Sequence, residues 1–281
     1  MKRKVVVITG ANSGFGFAMA LEFVKAGYFV VASMRNIKNG NQLLDAAKEL
    51  DMDQHIALIT LDITSEQSVI ELETYIGELG KIDVLINNAG FAGAGFAEEI
   101  SLLEYQEQMD TNFYGTIRVT QSILPFMRKQ GYGKIINISS ISGLVGFPGL
   151  SPYVSSKYAL EGWSEALRLE LLPFSIYVAL VEPGSFRTNI WTSGKRIAAK
   201  SQLETSPYRD YLKKLEAHLE KSSQKYQSPV VVAKKVLSIA QEKYPKLRYS
   251  VGKGVKSTVI SKQFIPWKWW EKLVLFILKK S

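Results

Sequence analysis

Tyr153 and Lys157 stand four residues apart in Pro-Tyr-Val-Ser-Ser-Lys-Tyr-Ala-Leu, and Ser140 lies thirteen positions before the tyrosine, closing Ile135-Ile-Asn-Ile-Ser-Ser. On a helix, residues i and i+4 share a face, so the Lys157 ammonium can sit beside the Tyr153 ring. A neighbouring positive charge favours phenolate and would pull a tyrosine pKa down towards working pH. A hydroxyl from Ser140, arriving at the C-terminal end of an apolar strand, can hold a carbonyl oxygen against the phenol. Together the three residues suit the gain or loss of a proton at an oxygen whose carbon exchanges hydride. The bare spacing is equally open to a surface tyrosine beside a surface lysine, so the rest of the chain has to decide.

Those residues need a scaffold and a hydride partner. Val5-Val-Val-Ile-Thr9 runs directly into Gly10-x3-Gly14-x-Gly16 and then into a helical pattern. Strand, glycine turn and helix are the context a dinucleotide-binding motif requires. Gly10 permits the tight turn, Gly14 lets backbone approach a pyrophosphate, and Gly16 lets the helix pack closely on the strand. The helix N-terminus, with Ser13 and Phe15 among its first residues, offers free N–H groups to phosphate. A ligand-free glycine loop is the bland alternative. Short apolar runs at Val5–Ile8, Ile56–Thr60, Val84–Ile86, Ile135–Ile138 and Ile176–Val181 alternate with helical stretches, the pattern of parallel strands buried on both faces. The expected fold is α/β: a Rossmann-type, doubly wound, parallel seven-stranded sheet with helices on both faces, plus a C-terminal helical extension.

The second strand, Tyr28-Phe-Val-Val-Ala-Ser-Met-Arg-Asn, ends without the acidic residue that would bind a ribose 2′-hydroxyl. Arg35 stands there instead, and its planar fork of donors suits a 2′-phosphate. The expected cofactor is NADP(H), read by Arg35 with help from Asn36. A solvated loop arginine is the competing reading.

Thr9-Gly10-x3-Gly14-x-Gly16, Asn87-Asn-Ala-Gly90, Asn112, Ser140, Tyr153-x3-Lys157 and Pro183-Gly-x3-Thr188 together resemble the short-chain dehydrogenases/reductases, in order and in spacing, over most of the first 190 residues. The C-terminal part is most similar to the hydroxysteroid and retinol dehydrogenase-like branch. The resemblance implies that Tyr153 exchanges the proton, that Ser140 hydrogen-bonds the substrate oxygen, and that Lys157 also binds the nicotinamide ribose. It implies that Asn112 holds a water linking the lysine to solvent; a helix kink or a capping amide is the alternative. Asp62 and Ile63 would lie along the adenine, Asn88, Ala89 and Gly90 near the ribose, Pro183 and Gly184 beside the nicotinamide, and Thr188 at its carboxamide. Asp62 can equally be a turn or cap residue before Ser65.

The sequence reads as one domain over 1–281: a mainly cofactor-binding half at 1–110, a catalytic half at 111–188, a substrate flap at 189–228 and a C-terminal extension at 253–281. Within the flap, Tyr208–Lys221 reads as helix; Pro229–Tyr244 follows as another, and Lys246–Gly252 as the last strand. Phe91, Phe96, Phe147, Phe186 and Trp191 are candidate pocket walls, and their character favours a hydrophobic alcohol or ketone.

There is no cysteine, which excludes disulfides and thiolate chemistry and fits a reducing cytoplasm. His55 and His218 are the only histidines and lack metal-ligand spacing, so no metal is expected. The apolar run behind Met-Lys-Arg-Lys is too short for a signal sequence. Residues 1–190 hold 15 Lys+Arg against 20 Asp+Glu, whereas 191–281 hold 20 against 6, so the net +9 belongs to the last third. Nucleic acid is not expected, since no nucleic-acid-binding motif appears. Trp267-Lys-Trp-Trp-Glu-Lys-Leu-Val-Leu-Phe-Ile-Leu-Lys-Lys280 would make a helix roughly 21 Å long. It suits either a peripheral membrane contact through 265–281 or packing over the active-site mouth or a subunit interface, as in a homo-dimer or homo-tetramer. Two function classes remain: an NADP(H)-dependent oxidoreductase acting on a hydrophobic small molecule, or an NADP(H)-sensing or tethered binding module with vestigial chemistry.

Overall fold

The computed structural model describes residues 3–191, 194–224 and 226–279, without the side chains of Trp191, His218 and 277–279. In chain order the first half comprises β1 (Val5–Thr9), α1 (Gly14–Lys25), β2 (Phe29–Met34), α2 (Asn41–Lys48), β3 (Ile56–Thr60), α3 (Glu66–Leu79), β4 (Val84–Asn87) and the short β5 (Ala92–Ala94). There follow α4 (Leu102–Met109), α5 (Gly115–Gln130), β6 (Gly133–Ile138), α6 (Ser151–Leu171) and β7 (Ile176–Pro183). The last third holds β8 (Lys195–Ile197), α7 (Arg209–Ser223), α8 (Val230–Gln241), β9 (Arg248–Val251), α9 (Val255–Phe264) and α10 (Trp267–Lys279).

The central sheet has seven strands in the order β3-β2-β1-β4-β6-β7-β9, every neighbouring pair parallel. This is the expected architecture. Because successive strand residues face opposite sides, the continuous apolar runs feed two cores. Val6 and Ile8 point into one, with Met19 and Phe23 of α1, Leu43 of α2 and Val232 and Val236 of α8. Val5 and Val7 point into the other, with Leu72 and Ile76 of α3, Val119 and Ile123 of α5 and Leu167 of α6. Strand order reverses between β1 and β4, and the crevice at such a reversal is where doubly wound sheets take ligands.

Several boundaries differ from the sequence reading. The helix expected over Pro229–Tyr244 ends at Gln241, with Pro229 as its N-cap and Glu242 already extended. The last strand is shorter, Arg248–Val251. A parallel pair of three-residue strands, β5 with β8, was not expected; it stitches the start of the flap to the loop after β4.

Candidate active site

Thr9 and the glycine turn are fixed from β4. Thr9 Oγ1 accepts from the Asn88 and Ala89 backbone N–H groups at 2.9 and 3.0 Å. Asn88 Nδ2 donates back to the carbonyls of Thr9 and Gly10 at 2.8 and 3.0 Å. Gly10 turns at φ +66°, where a Cβ would also come within 2.9 Å of the Ala89 Cα, so two constraints select glycine. A Cβ on Gly16 would lie 2.2 Å from the Gly10 carbonyl oxygen, so this residue lets α1 close onto β1 and does not itself line the cleft. Ser13 caps α1 with extended backbone and makes no side-chain cap, leaving its hydroxyl beside the free N–H groups of the first turn.

This turn opens onto a cleft of about 520 Å³. Of the residues expected to bind cofactor, all but Gly16 and Asn36 line it: Gly10, Ser13, Gly14, Phe15, Arg35, Asp62, Ile63, Asn88, Ala89, Gly90, Pro183, Gly184 and Thr188, together with Tyr153 and Lys157. Asn36 is turned into its own backbone, because its Oδ1 accepts from Lys38 N–H at 3.0 Å as the cap of a 3-10 turn. Arg35 is exposed at the end of β2 and faces Asp62 across the cleft. Partial burial raises the Asp62 carboxyl, but two bonds from Thr64 and the Arg35 charge outweigh it and hold the group below its ordinary value. The Asx turn with Thr64 is therefore real, and Ser65 separately caps α3.

Beyond the glycine turn, α6 begins with Pro152 in its first turn, places Tyr153 and Lys157 one above the other, and buries both, at 4% and 6% exposure. Lys157 Nζ lies 5.8 Å from the centroid of the Tyr153 ring and donates to the Ile138 carbonyl at 2.8 Å. The Ser140 hydroxyl bonds the Tyr153 phenol and accepts from Ser142 N–H at 3.1 Å. Of the neighbouring hydroxyls, Ser139 is buried beside Glu161.

The electrostatics correct the expected pKa of the phenol. Burial pushes Tyr153 up to about 12, with only the Ser140 bond pulling the other way. Desolvation likewise brings Lys157 down to about 8, partly offset by Glu161. Removing two polar groups from water outweighs their mutual help, because burial disfavours phenolate and ammonium alike. At neutral pH the phenol is a protonated acid.

Behind the lysine, the same face of α6 continues to Glu161, buried at 4% exposure. Arg248 of β9 binds it at 3.0 Å and also reaches Glu165 at 2.8 Å. Burial raises Glu161, while Ser139, Arg248 and Lys157 pull it back. The sequence reading did not connect Arg248 with α6; 87 residues separate it from Glu161, so no local spacing could have done so.

Asn112 sits in a π-helical turn, Asp110–Tyr114, between α4 and α5. Its Oδ1 accepts from Phe91 N–H at 3.1 Å, and its Nδ2 is within bonding distance of the Phe91 carbonyl and Ser156 Oγ at 3.0 and 3.2 Å. The helix distortion and the backbone clamp are thus both present, and a lining position on the cleft as well. Insertions of this kind recur at functional sites because they release a helical carbonyl.

The aromatic walls divide. Phe91 and Phe186 line the cleft, whereas Phe96 and Phe147 do not. Phe96 is buried and stacked on Tyr208 at 4.3 Å, so it holds the flap rather than facing a ligand. The Trp191 side chain lies outside the described residues. Arg196 was missed: it lines the cleft from β8, 4.2 Å above the Phe91 ring, and pairs with Glu107 at 3.4 Å. His55 bonds Arg3 next to the edge strand β3, and the His218 side chain lies outside the described residues. Among the described residues no three-member metal-ligating cluster occurs.

Comparison with known proteins bears on this cleft. The family model described as short chain dehydrogenase matches residues 4–197. The chain is 42% identical to the uncharacterized oxidoreductase YusZ of Bacillus subtilis, covering 100% of this chain and 99% of the relative. It is 35% identical to 3-ketodihydrosphingosine reductase of Bacteroides thetaiotaomicron, over 95% of this chain and 94% of that one. It is 36% identical to retinol dehydrogenase 8 of Bos taurus, over 87% and 80% respectively. Among solved structures, a short-chain dehydrogenase from Streptomyces avermitilis superposes with TM-score 0.82 at 31% identity, covering 93% of each chain. ElxO with NADP bound superposes with TM-score 0.76 at 28% identity, covering 91% of this chain and 99% of that one.

Proposed function

The chain belongs to the short-chain dehydrogenase family, on its retinol dehydrogenase-like branch, and we propose that this oxidoreductase uses NADP(H) to interconvert a hydrophobic ketone or aldehyde and its alcohol. The single observation that carries the reading is the buried cluster of Ser140, Tyr153 and Lys157 opening onto the same cleft as the glycine turn. NADP in a structural neighbour of 28% identity supports the cofactor, as does Arg35 at the end of β2.

The residues of the cleft fit such a cofactor. Gly14 turns at φ +55°, and a Cβ there would meet nothing nearer than the Thr188 side chain at 3.4 Å, which leaves the first turn of α1 open to a pyrophosphate. Arg35 would bind the 2′-phosphate, and Thr188 the carboxamide. Bound in this cleft, the nicotinamide supplies or accepts hydride.

In the reducing direction Tyr153 donates its proton to the developing alkoxide, and its raised pKa keeps that proton in place beforehand. Ser140 donates a hydrogen bond to the same oxygen and stabilises charge where it develops. Lys157, positively charged below about pH 8, favours the phenolate left behind and would bind the ribose hydroxyls of the cofactor. Asn112 holds the Phe91 backbone and orders water behind the lysine. The Phe91 ring on the cleft wall favours an apolar substrate, in keeping with relatives named for a ketosphingoid base and a retinol.

The test is NADPH and NADH oxidation across a panel of long-chain ketones, aldehydes, retinoids, steroids and short soluble ketones. Turnover with NADPH on the longer carbonyl compounds is expected. A protein that binds NADPH tightly yet turns over no carbonyl or alcohol in the panel would instead favour the sensing module.

A further inference from the structure

Helix α10 places its apolar side chains where a helix that merely completes a core would not. Trp270 is buried, at 7% exposure, but Trp267, Trp269, Leu273 and Leu275 are 62%, 69%, 42% and 55% exposed. Trp269, Leu273 and Phe276, at i, i+4 and i+7, form one stripe along the helix. Phe264, the last residue of α9, is 80% exposed, and Ile260, one turn before it, 43%.

This surface belongs to a basic segment. From residue 253 onward the chain carries seven lysines and a single acidic residue, Glu271. Lys272 Nζ lies 6.0 Å from the centroid of the exposed Trp269 ring. Exposed tryptophans amid lysines match the headgroup region of an anionic bilayer, where indole sits at the interface and ammonium meets phosphate. A second copy of this chain would set one basic segment against another, so charge favours lipid over self-association. No helix among the described residues is long and apolar enough to cross a membrane, so the contact would lie flat.

The extension is also tied to the elements that carry the catalytic candidates. Lys262 of α9 donates to the Leu144 carbonyl, in the loop after Ser140, and bonds the Tyr158 hydroxyl of α6, both at 2.6 Å. Val255, which begins α9, packs so tightly on cleft-lining Gly184 that a Cβ there would come within 2.6 Å of it. Helix α10 packs against α7 of the flap.

We infer that α9 and α10 form a docking surface for an anionic lipid bilayer, seated beside the substrate entrance. A carbonyl compound dissolved in the bilayer would then reach the flap without passing through bulk water. Docking itself does not depend on the catalytic reading, and the two can fail separately.

The experiment is co-sedimentation of the full chain with phosphatidylcholine vesicles, with and without phosphatidylglycerol, at low and high salt. Expected are salt-sensitive binding to the anionic vesicles, a blue shift of tryptophan emission, and about a ten-fold weaker partition for Trp269→Gln combined with Leu273→Gln. That double variant should keep the wild-type melting temperature and NADPH oxidation with a short soluble ketone. Absence of binding to either vesicle, binding undiminished in the double variant, or a dimer in sedimentation velocity that this variant dissociates would each overturn the proposal. An inactive protein that still binds anionic vesicles would sink only the catalytic reading, and an active one that ignores them only this inference.

Discussion

Helices α6 and α10 both depart from the usual amphipathic arrangement, in opposite senses. Helix α6 buries polar side chains: Tyr153, Ser156, Lys157, Glu161 and Ser164 all lie on its inner face. Helix α10 buries Trp270 and leaves Trp267, Trp269, Leu273, Leu275 and Phe276 more than 40% exposed. Neither pattern is what core packing alone would select. Burying an ammonium and a carboxylate costs several kcal/mol unless they are bonded, and α6 offsets that cost through the Ile138 carbonyl and Arg248. Large exposed apolar stripes on a soluble protein mark contact surfaces. On the proposals above, the contrast teaches that each face is shaped by what it would meet, a reacting oxygen for one and lipid for the other.

The largest effect should come from removing the proposed proton donor on the inner face of α6. Tyr153→Phe should cost about 10²–10⁴-fold in kcat while an NADPH fluorescence titration stays at the wild-type Kd. Near-wild-type turnover would show that the buried polar face serves stability rather than chemistry.

Next, Arg35→Asp separates cofactor choice from that face. Losing a charge-assisted bond worth about 1.5–3 kcal/mol should move the kcat/KM ratio of NADPH to NADH about 10- to 100-fold towards NADH. If the ratio stays fixed, Arg35 is only a solvated loop residue.

A smaller shift should follow Glu161→Gln. Lys157 loses its proton around pH 8 because burial disfavours its charge, and Glu161 is the charge pulling that value back up. Arg248, Glu165 and Glu182 face the same cluster and stay in place. In the proposed mechanism the useful form is the charged lysine, so activity should fall as pH rises through about 8 in the wild type. The variant's alkaline limb should lie at lower pH, with the KM for NADPH little changed. A limb that stays put or moves upward would remove Glu161 from any part in tuning the site.

The smallest effect is within α10. Trp269→Ala should change global stability by less than about 0.5 kcal/mol, as befits an exposed side chain. Trp270→Ala should loosen the helix and speed amide hydrogen exchange along it. Equal exchange in the two variants would mean that α10 is not anchored through Trp270.

Much of the candidate site was legible because its residues stand at short spacings. The glycine turn works through backbone conformation over seven residues, and Tyr153 and Lys157 share a face because an α-helix brings i and i+4 together. What was not legible depended on distant partners. Asn36 was expected to help Arg35 read a phosphate, but its Oδ1 accepts from the Lys38 backbone N–H and the residue does not line the cleft. Phe96 looked like a pocket wall, yet it stacks on Tyr208 more than a hundred residues away. Arg196 reaches the cleft only because β8 pairs with β5, a match of three-residue strands too short to leave a periodic signal.

By itself the sequence determined the strand order's raw material, the glycine turn at the end of β1, the phenol with an ammonium one helical turn on, and the tryptophan-lysine helix at the end. Each follows from local geometry and side-chain chemistry. Only the tertiary structure decided that Tyr153 is pushed up to about 12 rather than pulled down, that Glu161 and Arg248 stand behind Lys157, and which side of α10 faces out. The reason is physical: desolvation and long-range ion pairing depend on everything that surrounds a group, and segments far apart in the chain supply those surroundings.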